Sequence, residues 1–209
     1  MDSDRLFILY IHGFNSSPAS EKAQQFQSFC QQHGNVDIAI PELSHDPEQA
    51  LSQLQGLIEN AAGKIHLLVG SSLGGYYATW LSEKYNCRAA LVNPAVSPVK
   101  NLGEEFLGTQ KNYYSGIEYE FTREYALFLD TLDINPVNSP DNFLLLVQTG
   151  DEVLDYHLAV ERYQGSIQVV QEGGSHRFEE FDAMFEPMME FAEKGRLSPE
   201  TVAGIKKHI

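Results

Sequence analysis

A glycine–serine motif at residues 70–74 constrains the fold of this chain more than any other feature of its sequence. Gly70, Ser72 and Gly74 fit the pattern G-x-S-x-G, directly after an apolar run at 65–69 and at the start of a helix-compatible stretch. In this pattern a buried strand ends, the chain turns sharply and a helix begins, which strains the backbone of the serine and exposes its hydroxyl. Glycines are needed on both sides because a Cβ there would crowd the turn. The motif therefore predicts that Ser72 is the nucleophile of an acyl hydrolase.

The motif contains a second candidate nucleophile, Ser71. A pattern this short also arises by chance, so its weight comes from the predicted strand before it and the predicted helix after it. Ser71 has Val69 and Leu73 at the two positions where the pattern requires glycine. The turn geometry therefore favours Ser72 over Ser71.

Short apolar segments alternate with amphipathic stretches along the chain. The predicted strands are residues 5–11, 36–40, 65–69, 87–92, 142–148 and 166–171. Among the predicted helices, one begins at Ser17-Pro18, and another begins at Asp46-Pro47 and ends near Gly63. Strands separated by helices predict parallel strands joined by right-handed crossovers. We therefore expect an α/β fold with about six mostly parallel strands and helices on both faces of the sheet.

Residues 96–141 break this alternation, between the fourth and fifth predicted strands. The segment is rich in aromatic residues, and residues 122–132 are predicted to form a helix. The aromatic residues are Phe106, Tyr113, Tyr114, Tyr119, Phe121, Tyr125 and Phe128. An insertion at this place would lie over the carboxyl ends of the strands, so we predict a small lid or cap. The alternative is that its aromatic residues only pack the insertion onto the body of the protein.

Length and charge limit the classes of protein to consider. A chain of 209 residues predicts one domain covering residues 1–209. A formal net charge of −15 argues against nucleic acid or an anionic membrane as a partner. No apolar stretch approaches the ~20 residues of a membrane span.

The cysteines and the first residues predict a reduced, cytoplasmic protein. Cys30 and Cys87 lack the spacing of metal ligands. Residues 1–4 lack the basic region of a signal peptide. We expect no metal and no cofactor, because the sequence has no H-E-x-x-H, no C-x-x-C and no phosphate-binding loop.

A serine nucleophile needs a histidine to accept its proton and a carboxylate to orient that histidine. In this type of fold the acid and then the histidine follow the serine, in loops after later strands. Asp151 is the predicted acid because it directly follows the strand at 142–148 and because Gly150 lets the loop turn. Glu152 and Asp155 are the alternative carboxylates, and Asp155 could instead cap the next helix.

His176 is the predicted general base. It follows the last strand through a flexible pair of glycines, Gly173 and Gly174. The alternative is an exposed loop histidine without a role. The other histidines fit less well: His33, His45, His157 and His208 lie in predicted helices or linkers, His66 lies inside a strand, and His12 belongs to a different motif.

His12 belongs to a His-Gly pair, formed with Gly13, at the end of the first predicted strand. The glycine lets the backbone approach the substrate, and the following amide points at the developing negative charge. We assign the oxyanion hole to the backbone amides of Phe14 and Leu73. His12 is expected to shape the loop, and Asn15 and Ser16 are expected to line the substrate pocket.

Together these segments resemble the α/β-hydrolase superfamily, and more closely the small bacterial YqiA/YcfP-type esterases. The resemblance is carried by residues 10–14, 70–76 and 148–154, and it extends over nearly the whole chain. It implies a compact hydrolase of carboxylic esters, with acyl-CoA thioesters as a further substrate class. It also implies the catalytic triad Ser72, Asp151 and His176. Because only four residues precede the first strand, the two opening strands of larger superfamily members have no room.

The predicted activity is therefore that of a serine esterase which acts on a small-molecule acyl ester or thioester through an acyl-enzyme intermediate. The aromatic insertion favours aliphatic or aryl esters. The alternatives are a thioesterase or C–C bond hydrolase with the same triad, a peptidase, and a non-catalytic protein that uses the same fold to bind a ligand.

Overall fold

The computed structural model of this chain describes residues 5–61 and 65–205. The predicted helix end at Gly63, the residues 1–4 and His208 lie outside these ranges. The strands are β1 (Leu6–Ile11), β2 (Val36–Ala39), β3 (Ile65–Ser71), β4 (Ala89–Val92), β5 (Gly108–Lys111), β6 (Glu118–Phe121), β7 (Phe143–Gln148) and β8 (Ile167–Gln171). The helices are α1 (Glu21–His33), α2 (Pro47–Asn60), α3 (Leu73–Tyr85), α4 (Pro98–Leu102), α5 (Arg123–Thr131), α6 (Tyr156–Arg162), α7 (Phe185–Lys194) and α8 (Pro199–Ile205).

Six of the strands form one sheet in the order β2-β1-β3-β4-β7-β8, and all neighbouring pairs are parallel. These are the six strands predicted from the apolar runs, with ends that differ by two residues or fewer, so the predicted α/β fold is confirmed. Parallel strands place all their carboxyl ends at one edge of the sheet. The loops after β1, β3, β7 and β8 therefore meet at that edge.

Alternating side chains of the strands divide the core into two layers. On one face, Leu9, Leu68 and Leu145 pack with buried side chains of α2, α3, α5 and α6. On the other face, Ile8 and Leu144 pack with α1, α7 and α8. The prediction of helices on both faces is thus confirmed. None of the helices in the described ranges has both the length and the apolar character needed to cross a bilayer.

The first helix begins later than Ser17-Pro18, where it was predicted. The Oγ of Ser17 accepts a hydrogen bond from the amide of Ala19, and the amide of Ser20 donates to the carbonyl of Ser17. These bonds form a separate turn, and helix α1 starts only at Glu21, with Ser20 as its N-cap residue. A serine can stabilise either a turn or a helix start, so the Ser-Pro pair alone did not distinguish them.

The insertion at 96–141 contains α4, a 3₁₀ helix (Gly103–Phe106), an antiparallel hairpin of β5 and β6, and α5. Phe106 and Phe121 are buried and contact Phe14 edge-on, with ring centroids 4.9 and 5.3 Å apart. These two rings attach the insertion to the loop after β1. Tyr113 and Tyr114, in contrast, are 79% and 50% exposed at the tip of the hairpin.

A buried ion pair joins the end of the insertion to α6. The guanidinium of Arg162 contacts the carboxylate of Asp133 and donates to the Oγ of Ser97 at 2.9 Å. Burial alone would raise the pKa of Asp133, but hydrogen bonds from Ser97, Arg162 and Lys100 lower it. The side chain of Arg162 is only 1% exposed, so its positive charge is withdrawn from water and is compensated by the carboxylate of Asp133.

We predict that Asp133→Asn lowers the free energy of unfolding by about 3–5 kcal/mol, because it leaves the buried Arg162 charge without a counter-ion. The matched control is Asp130→Asn, since Asp130 is exposed and reaches only Lys100, at 4.0 Å. Urea unfolding followed by circular dichroism measures both variants. Equal losses in the two would show that the buried pair contributes no more than a surface contact.

Candidate active site

Ser72 lies at the turn between β3 and α3, at the carboxyl edge of the sheet. Its backbone has φ 55° and ψ −122°, a conformation that residues with a Cβ rarely adopt. Four hydrogen bonds hold it there. The amide of Ser72 donates to the carbonyl of Val92 at 3.1 Å, and the carbonyl of Ser72 accepts from the amides of Gly75 (2.9 Å), Tyr76 (3.4 Å) and Ala95 (3.0 Å). Such strain persists only where the surroundings determine the conformation, as they do at this turn.

Both glycines of the motif are required by close backbone contacts. A Cβ on Gly70 would lie 2.5 Å from the carbonyl oxygen of Gly74. A Cβ on Gly74 would lie 2.0 Å from the carbonyl oxygen of Ile11, the last residue of β1. The start of α3 therefore packs directly on the end of β1, and only glycine fits between them.

Ser72, His176 and Asp151 form a continuous chain of hydrogen-bond contacts. The Nε2 of His176 lies 3.2 Å from the Oγ of Ser72. The Nδ1 of the same ring lies 3.0 and 2.9 Å from the two carboxylate oxygens of Asp151. The side chain of Asp151 is 2% exposed and that of His176 is 23% exposed, so the carboxylate is buried and the imidazole reaches the surface of a cleft. The structure thus brings together the three residues that the sequence predicted.

The three candidate acids make different contacts. Oδ1 of Asp151 accepts from the amides of Val153 (2.9 Å) and Leu154 (2.8 Å), which fixes the carboxylate beneath the imidazole. Glu152 instead accepts the backbone amide of His176 at 2.9 Å, and this bond lowers the pKa of Glu152. Asp155 is the N-cap residue of α6, which confirms the alternative prediction that this residue caps the helix.

The loop after β1 lies against Ser72. A Cβ on Gly13 would stand 3.1 Å from the Cβ of Ser72 and 3.6 Å from its Oγ. Within residues 5–61 and 65–205, the amides of Phe14 and Leu73 donate to no carbonyl or side chain. An oxyanion hole is built from such free backbone amides, so Phe14 and Leu73 remain its candidate donors.

His12 is part of this loop and does not contact Ser72. Its Nδ1 lies 3.0 Å from the carbonyl of Gly13, and its Nε2 accepts the amide of Leu43 at 3.3 Å. Burial lowers the pKa of His12. A neutral imidazole that donates from Nδ1 and accepts at Nε2 satisfies both contacts, and it holds the loop after β1 in place.

Of the two residues expected in the substrate pocket, only Ser16 lines the cavity that contains Ser72 and His176. This cavity has a volume of about 320 Å³. The side chain of Asn15 instead bonds to the insertion: its Oδ1 accepts from the hydroxyl of Tyr119 at 2.6 Å, and its Nδ2 donates to Gln110 at 3.1 Å. Asn15 borders a neighbouring cavity of only about 30 Å³.

Two amide side chains that the sequence analysis did not identify hold the loop of His176. The Nδ2 of Asn93 donates to the carbonyls of Ser175 (3.0 Å) and His176 (3.3 Å). The Oε1 of Gln148 accepts the amides of Ser175 (3.1 Å) and Glu179 (2.8 Å). Asn93 directly follows β4, and Gln148 is the last residue of the otherwise apolar β7. A polar residue at the carboxyl end of a buried strand is the sequence signal that could have identified both as residues of the site.

The described residues contain no group of three or more His, Cys, Asp or Glu side chains with the geometry of a metal site.

Residues 7–193 match the model of UPF0227, an uncharacterised protein family. A UPF0227 protein of Serratia proteamaculans is 24% identical over 174 residues, which cover 82% of this chain and 90% of that protein.

Among solved structures, α/β hydrolase domain-containing protein 10 from mouse superposes with a TM-score of 0.71 and 15% identity, covering 90% of each chain. The esterase domain of a Rhodothermus marinus protein superposes with a TM-score of 0.68 and 14% identity, covering 93% of this chain and 89% of that one. The fold is therefore that of the α/β hydrolases.

We predict that Gly74→Ala destabilises the protein by about 2 kcal/mol or more, because the new Cβ collides with the backbone of Ile11. The control is Gly56→Ala in the middle of α2, where nothing lies within 4 Å of an added Cβ. That control should stabilise by about 0.5–1 kcal/mol, since alanine is the better helix former. Urea unfolding compares the two, and a Gly74→Ala protein as stable as the wild type would contradict the close contact.

Proposed function

The chain belongs to the UPF0227 family, and we propose that it is a serine esterase that hydrolyses carboxylic esters. The observation that carries the proposal is the contact chain from Asp151 through His176 to the Oγ of Ser72, close to two backbone amides that have no partner among the described residues. The esterase domain from Rhodothermus marinus, which has the same fold, supports the choice of esters.

In the first half of the reaction, Ser72 attacks the ester carbonyl carbon. The Nε2 of His176 takes the proton from Oγ as the new C–O bond forms. Asp151 accepts from the protonated Nδ1, so it keeps Nε2 free to act as the base and stabilises the imidazolium. The carbonyl oxygen becomes an oxyanion, which the amides of Phe14 and Leu73 stabilise.

The tetrahedral intermediate then breaks the bond to the leaving alcohol. His176 gives its proton to the leaving oxygen, and an acyl ester of Ser72 remains. In the second half, His176 takes a proton from water as the water oxygen attacks the acyl carbon. The bond to Oγ breaks, Ser72 regains its proton, and the carboxylic acid leaves. The same steps apply to a thioester with a thiol leaving group, so matched oxoesters and thioesters measure the leaving-group preference.

The site also favours catalysis over ligand binding alone. Binding needs only a cavity, whereas orienting an imidazole between a carboxylate and a hydroxyl serves proton transfer. Glu152, Asn93 and Gln148 all restrain the backbone around His176. This restraint supports the assignment of His176 as the general base.

We predict that Ser72→Ala lowers kcat/KM for p-nitrophenyl butyrate by at least about 10³-fold, since the nucleophile is lost. A fluorophosphonate probe should label the wild type but not Ser72→Ala. The matched control is Ser28→Ala, an exposed serine of α1 that bonds only to the carbonyl of Gln24. Intact labelling in Ser72→Ala together with its loss in Ser71→Ala would assign the nucleophile to Ser71 instead.

The choice of carboxylate has a separate test. Asp151→Asn should lower kcat by about 10⁴-fold, because an amide in place of the carboxylate favours the wrong imidazole tautomer. Asp155→Asn retains a side chain that can cap α6, so its kcat should stay within about threefold of the wild type. If the outcome were reversed between these two variants, Asp155 would be the acid.

A further inference from the structure

Two cations line the cavity that contains Ser72 and His176. Lys22 extends from the first turn of α1, and Arg177 directly follows His176. The chain as a whole has 29 acidic residues and only 14 lysines and arginines. Glu21 is the one acidic residue among the described residues that line this cavity. The cavity is therefore locally basic in a strongly acidic protein.

Neither cation has a carboxylate partner among the described residues. The Nζ of Lys22 donates to the backbone carbonyl of Arg177 at 2.9 Å. Glu21 is turned along the helix, where its Oε1 accepts from Gln25 at 3.3 Å. Elsewhere in the described ranges, several cations lie within 4 Å of a carboxylate: Arg5, Lys100, Lys111, Arg162 and Lys194.

Lys22 is partly withdrawn from water without a counter-ion. Burial and, to a smaller extent, Arg177 lower the pKa of its ammonium group to about 8, against the opposite effects of Asp151 and Glu21. The group is thus protonated at pH 7 in a place where its charge is only partly compensated. A charged group in such a position gains from an anionic partner, and the open cavity leaves room for one to come from a ligand.

The cations lie near the imidazole. Lys22 contacts the carbonyl of the residue after His176, and in the proposed reaction the Nε2 of His176 hands its proton to the leaving alcohol. The exposed tyrosines of the hairpin tip lie near the oxyanion loop, because the amide of Tyr113 donates to the carbonyl of Asn15, next to the amide of Phe14. The cavity therefore has a cationic wall near the imidazole and an aromatic wall near the oxyanion loop.

Building on the proposed esterase function, we infer that the substrate is an ester whose alcohol portion carries a carboxylate or phosphate group, held by Lys22 and Arg177. The acyl portion then extends toward Tyr113 and Tyr114. Hydrolysis releases an anionic alcohol and a carboxylic acid, by the bond changes described above.

The test compares specificity constants for matched ester pairs. The carboxylate pair is meta-(butyryloxy)benzoate and its neutral methyl ester, and the phosphate pair is butyryl glycerol phosphate and monobutyrin. A third pair, mono-p-nitrophenyl glutarate and p-nitrophenyl valerate, places the charge on the acyl side. We expect kcat/KM to be about tenfold higher for the anionic member of the first or the second pair, and the larger ratio identifies the anion.

Variants then assign the preference to the two cations. Lys22→Met and Arg177→Gln should each reduce the ratio of anionic to neutral kcat/KM toward one, and Lys22→Glu should invert it. The control is Arg196→Gln, because Arg196 is also exposed and without a carboxylate partner in the described ranges, but does not line the cavity. A ratio of two substrates cancels any general loss of folded or active enzyme. The ratio should also fall as the pH rises through about 8, where Lys22 loses its proton.

Three outcomes would overturn this inference: a wild-type ratio near one for both alcohol-side pairs, a preference confined to the acyl-side pair, or a ratio unchanged in Lys22→Met and Arg177→Gln. In each case hydrolysis of the neutral esters that is lost in Ser72→Ala leaves the proposed esterase function standing. If no ester is hydrolysed in a Ser72-dependent way, the esterase proposal itself fails, and the inference fails with it.

Discussion

The close contact between the start of α3 and the end of β1 is the constraint on which the rest of this site depends. Gly74 lies so near the carbonyl of Ile11 that no side chain fits between them. This contact sets the distance between the turn of Ser72 and the loop that carries Gly13 and Phe14. Ser72 and one candidate oxyanion donor are therefore positioned by the packing of a helix against a strand, which holds a site more precisely than a loop alone does.

Much of the fold could be predicted because its signals are local. Each strand of the main sheet is an apolar run, and the order of strands β4, β7 and β8 brings the loops of Asp151 and His176 together beside Ser72. The hairpin could not be predicted in this way. Residues 108–111 of β5 are polar or small, and their pairing depends on Phe106 and Phe121 packing against Phe14, a contact between distant parts of the chain.

The supporting residues of the site were harder to predict than the three candidate catalytic residues. Ser72, Asp151 and His176 each lie within two residues of a glycine, at the ends of strands and in a known order. Asn93 and Gln148 belong to no motif, and their roles arise from where the sheet places them. Asn15 is a second case in which local sequence was not enough. Its neighbours in sequence indicated a pocket residue, but in the folded chain its side chain bonds to Tyr119 and Gln110.

The insertion is attached to the α/β body at two places. Asn15 and Phe14 hold the hairpin in its middle, and Arg162 holds Asp133 near its carboxyl end. The residues that hold the hairpin, Asn15 and Phe14, belong to the candidate oxyanion loop. The contacts that attach the insertion are therefore also contacts of the candidate site. Movement of the hairpin away from the body would break contacts of the candidate oxyanion loop, so opening of the insertion is coupled to the geometry of the site.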